Sequence, residues 1–251
     1  MIPITSNKIP YSTFVLNTSI IKIMPYFSMS LCFLFFPNFS HSQEVIELQN
    51  PSFEDAPRMG GYYGNPEHAK RNRITNWFDC GILNFYNESA PDIHSSDTKY
   101  WNVSHDPSHG DTFLGLSARD NKTWESISQH LSKDLIIDAC YEFKIDLCQS
   151  ESFKSGSRLQ NDAKTLFNYS EPLVLEVWLG NGYCRKEDLL FVTPPIDHNE
   201  WKTYTVSFSP KISANHLTIM AYYTSQKEDP YNGNILLDNL SDIVKMKCSD
   251  E

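Results

Sequence analysis

From residue 111 onward the chain alternates. In CYEFKIDLC (140–148), Tyr141, Phe143, Ile145 and Leu147 fall on one side and Glu142, Lys144 and Asp146 on the other. That is the period of a strand with one buried face and one wet face. Shorter runs with this character are LVLEVWLG (173–180), YTVSFSP (204–210), LTIMAYY (217–223) and NILLDNL (234–240), joined by DTFLGL (111–116) and WESISQHL (124–131). Clusters of turn residues separate them, among them ARDNKT, GNGYC, TPPIDHNEW and EDPYNGN. No 12-residue window keeps a helical period. Short strands divided by turn signals predict an all-β sandwich, and the need to protect sheet edges in one domain points to a jelly roll. Residues 59–111, rich in Gly, Asn, His and Ser, and residues 151–172 lack the alternation. Both are expected to be long loops laid over an end or a face, where rigid sandwiches usually carry their binding residues.

The N-terminus follows other rules. The apolar run MPYFSMSLCFLFF (24–36) comes after Lys8 and Lys22 and before Pro37 and Ser40-His41-Ser42. This is the order of a secretory signal and its cleavage site. The run has 13 residues, fewer than the roughly 20 of a permanent membrane helix. Export and cleavage before Gln43 are therefore expected, with Met24 as an alternative start, leaving 43–251 as one domain. Leu31 ahead of Cys32 is not the small residue that lipoprotein processing requires. No later segment is apolar enough to cross a membrane.

Charge and cysteines narrow the partners. Lys and Arg number 21 against 31 Asp and Glu. Both lysines of residues 1–42 would be lost with the signal, so the exported chain is more acidic still. An acidic surface repels nucleic acid and anionic lipid and leaves carboxylates free for hard cations. Cys80, Cys140, Cys148, Cys184 and Cys248 remain after cleavage, with no CxxC pair to suggest zinc or redox work. An exported chain is expected to pair them and leave one over. As a strand, CYEFKIDLC would hold Cys140 and Cys148 about 27 Å apart, which excludes that pairing; the remaining connectivities stay open.

Several motifs in order, NPSFED (50–55), NWFDCG (76–81), ESAPDIH (88–94), GDTFLGL, WESISQHL, LEVWLGNGYC, IDHNEWKTYTVSFSP and YNGNILLDNL, resemble secreted galactose-binding-like jelly-roll domains of Bacteroidetes, similar in outline to carbohydrate-binding modules. The resemblance implies an exported, non-catalytic module that binds a glycan at the cell envelope. It also implies a structural Ca²⁺ held by Glu54, from the opening segment, and Asp238, from the last strand. Calcium takes six to eight oxygens, which two neighbouring chain ends could supply. Phe53 would point inward and Glu54 toward the ion, with Asp55 a further ligand or a solvated acid.

Sugar binding needs flat rings and a few polar groups. Alternation places Leu175, Val177 and Leu179 in the core and turns Glu176 and Trp178 outward, where Tyr222 joins them. A competing loop-end site would use Tyr62, Tyr63, Trp101, Arg119, Asp120 and Trp124, although Arg119 and Asp120 also read as a solvated ion pair in a turn. Other functions have their own candidates. An adhesion module would use the same surface on an envelope protein. A metal-dependent hydrolase or lyase would use HDPSHGD, with His105, Asp106, His109 and Asp111; Pro107 disturbs the helical spacing a two-His site needs. HExxH, GxSxG and phosphate-loop motifs are absent. His94, His130, His198 and His216 read as surface or turn residues, and Trp77 and Trp201 as core anchors.

Overall fold

The computed structural model describes residues 43–60, 74–84, 86–156 and 165–248; the expected signal segment and Tyr62 and Tyr63 lie outside them. The alternating runs are strands, and shorter ones join them. In chain order they are β1 (Val45–Ile46), β2 (Phe78–Asp79), β3 (Asp92–Ser95), β4 (Thr112–Arg119), β5 (Thr123–Trp124), β6 (Ser126–Leu135), β7 (Cys140–Cys148), β8 (Lys154–Gly156), β9 (Leu166–Asn168), β10 (Val174–Gly180), β11 (Asp188–Val192), β12 (Lys202–Phe208), β13 (Ala214–Tyr222), β14 (Gly233–Asp238) and β15 (Ile243–Met246). The helices among the described residues are two 3₁₀ turns, Cys80–Ile82 and Tyr100–Asn102.

The strands form two antiparallel sheets and a small hairpin, β8–β9. The larger sheet runs β1-β15-β7-β14-β4-β3, with β12 on the other edge of β7 and β5 on β4; the smaller runs β11-β10-β13-β6-β2. β7 is the hinge of the larger sheet. One edge pairs with β12 through Tyr141–Phe208 and Leu147–Lys202, while the opposite edge takes β15 at Glu142 and β14 at Leu147. The first and last described strands therefore meet: Val45 pairs with Val244, and nearby the Leu240 N–H donates to the Pro51 carbonyl at 3.1 Å.

Between the sheets lie the residues the alternation assigns to the core. Tyr141, Phe143, Ile145, Leu147, Leu114, Leu116, Ile235 and Leu237 face Ile127, Leu175, Val177, Leu179, Leu217 and Ile219, all at most 2% exposed. Each such side chain contributes about 1.5–3 kcal/mol by leaving water. Phe53 is inward as expected and lies 5.5 Å from Trp77. A second, smaller cluster sits outside the larger sheet, where Val103, Phe153 and Tyr169 pack on the outward residues Phe113, Cys148 and Leu236, with Trp101 and Trp201 against it. Trp201 is thus an anchor of this outer cluster and not of the main core. The two stretches expected as irregular loops contain β2 and β3 in one case and β8–β9 in the other. They lack a full period because they are short, and pairing holds them in place.

Two disulfides, Cys80–Cys184 and Cys140–Cys248, close the chain, and Cys148 is a buried free thiol. By the chain-entropy model, bridging residues about 100 apart stabilises the fold by about 4–5 kcal/mol each. The disulfides point to an oxidising extracellular or periplasmic environment. Among the described residues no helix is long and apolar enough to cross a membrane.

Candidate functional site

The outward face of the smaller sheet carries the chemistry. β10 and β13 pair Val174 with Tyr222, Glu176 with Met220 and Trp178 with Thr218, so Glu176, Trp178 and Tyr222 emerge on one side, opposite Leu175 and Val177. Strand β5, paired with β4, brings in Trp124, a residue expected in a loop, whose ring meets Tyr222 edge-on at 5.3 Å. Together with Lys122 and the 223–230 turn, Trp124, Glu176 and Tyr222 line a groove of about 460 Å³. Trp178 stands beside the groove. Its indole N–H donates to Glu176 Oε2 at 2.8 Å and fixes the carboxylate. Burial pushes the Glu176 carboxyl above its ordinary value, against the opposing pull of Trp178 and Lys186.

A loop crosses the middle of this face. Residues 181–187 connect β10 to β11, and Cys184 in that loop is bonded to Cys80, just beyond β2 on the far edge of the sheet. The loop lies over β13 and β6. Tyr183 meets His216 edge-on at 4.8 Å, while Lys186 reaches Glu88 at 3.1 Å and stands 5.5 Å over Trp124. The outward residues Ser126, Ser128 and Thr218 beneath it are 0% exposed. One end of the face therefore keeps the Trp124–Tyr222 groove, and the other has a smaller one beside Phe78 and Tyr183.

Other predicted residues fall elsewhere. Arg119 is no loop residue in a solvated pair with Asp120: it ends β4, is 8% exposed, and donates to Glu125 at 2.5 Å and Ser89 at 2.6 Å. β4 is covered on both faces, which short-range pattern could not reveal. Asp120 sits in the turn and accepts from Asn232 at 3.0 Å. Trp101 leaves the loop surface to donate to Asp92 at 2.8 Å.

His94 is a correction of its own. It is 0% exposed in β3, stacked 5.4 Å from Phe113, and neither ring nitrogen has a partner. Burial holds it neutral, with its pKa lowered to about 4. Two residues away, Asp92 is raised to about 7 by burial and by the charge of Glu125. His94 sits over Gly115, where a Cβ would come within 2.7 Å of Nε2. The covering insertions bury His94, and nothing local in the sequence signals it.

Glu54 and Asp238 converge on one loop. The Asp111 N–H donates to both oxygens of exposed Glu54 at 3.1 and 3.2 Å, and the His109 N–H donates to buried Asp238 at 2.8 Å. Between them Gly110 has a φ of +68°, and a Cβ there would fall 1.8 Å from Glu54 Oε1, so only glycine fits. Burial raises the Asp238 carboxyl to about 7, and the charge of Glu54 adds to that. Asp55 accepts from the Thr75 N–H and hydroxyl at 2.7 Å. These oxygens have the hardness calcium prefers, yet two carboxylates are few for six to eight ligands and both already accept backbone N–H groups. Among the described residues no group of three His, Cys, Asp or Glu is arranged to hold a metal. HDPSHGD does structural work here: Ser108 donates to Asp146 at 2.6 Å, His109 Nδ1 lies 2.9 Å from Ser52 Oγ, and His105 packs edge-on to Trp201.

No family model matches the chain, and no curated protein matches it. Among solved structures it is similar to the Stig cyclase Fisc from Fischerella sp. TAU (TM-score 0.46, 16% identity, covering 83% of this chain and 100% of that one). It is also similar to the CBM22-1 xylan-binding domain from Paenibacillus barcinonensis Xyn10C (0.40, 12%, 83% and 98%). A third likeness is to the K2 cleaved adhesin domain of Lys-gingipain (0.40, 11%, 82% and 99%). At these scores the likeness is one of outline, and the chemistry has to be read from the residues of this chain.

Proposed function

We propose that the protein is an exported, non-catalytic carbohydrate-binding module acting at or outside the cell envelope, with its glycan site in the Trp124–Tyr222 groove. The observation that carries this reading is the meeting of Trp124, Tyr222 and Glu176, from three strands or turns, around about 460 Å³ of open groove. Flat rings offer stacking to the apolar face of a pyranose, and a carboxylate fixed by Trp178 accepts its hydroxyls. The test is binding to a panel of oligosaccharides and polysaccharides by wild type, Trp124→Ala and Tyr222→Ala. Each variant is expected to lose at least tenfold in affinity, or about 1.4 kcal/mol, while still melting as a folded chain. Wild type that binds none of the saccharides overturns the reading.

A protein partner is the second reading, and one feature favours it. Next to Trp124, whose backbone N–H donates to the Asn87 carbonyl, the chain exposes Leu83 (61%) and Tyr86 (78%). Leu83→Asp would then abolish capture of an envelope protein and leave saccharide binding unchanged.

The same proposal includes a calcium ion held by Glu54 and Asp238, the rest of its shell supplied by backbone carbonyls and water. The support is a buried acid facing a second carboxylate across a glycine loop. Millimolar calcium is expected to raise the melting temperature of wild type but not of Glu54→Gln. Identical melting in calcium and in chelator removes the ion from the account.

A further inference from the structure

The far end of the strapped face has a groove of its own. It measures about 380 Å³ and is lined by Gln49, Asn76, Phe78, His130 and Tyr183 over the Trp77–Gln129 floor. Its aromatic wall is the Phe78–Tyr183 pair, with ring centroids 4.8 Å apart and planes 24° from parallel. Tyr183 is 43% exposed, and Gln49, Asn76 and His130 are exposed beside it. His130 and His216 stand 4.8 Å apart at the edge of the groove. Trp77 and Gln129 are the rigid part. The Trp77 indole N–H donates to Asn50, and the Gln129 amide is spent on Gln49 and Asn76 backbone groups at 2.7–3.0 Å.

We infer that this groove is a second binding site for a neutral sugar ring, separate from the Trp124–Tyr222 groove and assembled by the Cys80–Cys184 bridge. The ligand class follows from the lining. An exposed tyrosine ring offers a stacking surface, two amides and an imidazole offer donors and acceptors, and no carboxylate or ammonium lines the walls. That leaves a ligand with an apolar face and hydroxyl edges and no formal charge; its class is taken from the glycan reading above. The bridge matters because Phe78 lies two residues before Cys80 and Tyr183 one before Cys184, positions far apart in sequence that the disulfide ties covalently. From Tyr222 to His216 along β13 the two grooves are about 20 Å apart. Two weak sites on one face give avidity for a ligand that presents two rings.

The test is NMR titration of the full chain with the methyl glycosides of glucose, galactose, mannose and xylose, reading the ring signals of Tyr183 and His130 at one end and Tyr222 and Trp124 at the other. A glycoside is expected to shift both sets. Tyr183→Ala should weaken the Tyr183-end response at least tenfold and spare the other, as should His130→Ala, a second probe away from the bridge; the Cys80→Ser/Cys184→Ser pair should also lose the Tyr183-end response. Shifts confined to the Tyr222 end, or a far-end response untouched by Tyr183→Ala, overturn this inference and leave the first site standing. Shifts confined to the Tyr183 end overturn the first site instead, and no shift at either end overturns both.

Discussion

Over the larger sheet the chain lays the β8–β9 hairpin and the turn at Trp101, which press Phe153, Tyr169 and Val103 onto Phe113 and Leu236. Over the smaller sheet it lays one loop, pinned by a single disulfide, and leaves Trp124, Tyr222 and Tyr183 partly in water on either side. The first face became a second core and the second became a surface with two grooves. The difference is one of quantity: a long insertion brings enough apolar area to exclude water, whereas a seven-residue loop covers only the hydroxyl strip beneath it.

The largest expected effect tests the sealed face. Phe153→Ala should cost about 3–5 kcal/mol, read as a lower midpoint in urea. Tyr183→Ala, on the strapped face, should change stability by well under 1 kcal/mol because its ring is already wet. Equal costs would mean that the two faces are packed alike.

Next in size is the pH response of two of the buried acids, one taken from each sheet. Asp79, in β2, is raised to about 8 by burial, with Glu125 and Glu88 adding to the effect, and Asp92 in β3 is raised to about 7. A raised acid binds its proton more tightly in the folded chain, so stability falls as pH climbs from the ordinary carboxylate range toward the raised value, then levels off. Wild type should therefore lose stability between pH 6 and 8. Asp79→Asn should flatten the slope up to about 8 and Asp92→Asn only up to about 7. Parallel curves for wild type and both variants would refute this.

The smallest effect concerns His94. Removing a buried ring with no partners should stabilise the fold by about 1 kcal/mol in His94→Leu. It should also remove a loss that wild type suffers as pH falls from 6.5 toward 4, since the folded chain disfavours the imidazolium. A destabilised variant would show that the ring's stacking on Phe113 outweighs its lost hydration.

Strands long enough to complete several alternations, β4, β6, β7, β10, β12, β13 and β14, were legible in the sequence, because each inward side chain repeats at every second residue. So was the outward placement of Glu176, Trp178 and Tyr222, whereas the approach of Glu54 to Asp238 was implied only by the resemblance to carbohydrate-binding modules. The two-residue strands β1, β2 and β5 are too short to show a period and exist because a neighbour offers them hydrogen bonds. Arg119 and His94 have ordinary local contexts, and what distinguishes them is the material folded over them. The Phe78–Tyr183 wall needed the Cys80–Cys184 bridge, one of several pairings the five cysteines allowed.

The sequence by itself determined which side of each long strand is apolar, and with it the two-layered all-β architecture, since alternation is a local property of the backbone. Only the tertiary structure decided which outer face is sealed and which stays open, because covering a face depends on where distant loops and one disulfide come to rest.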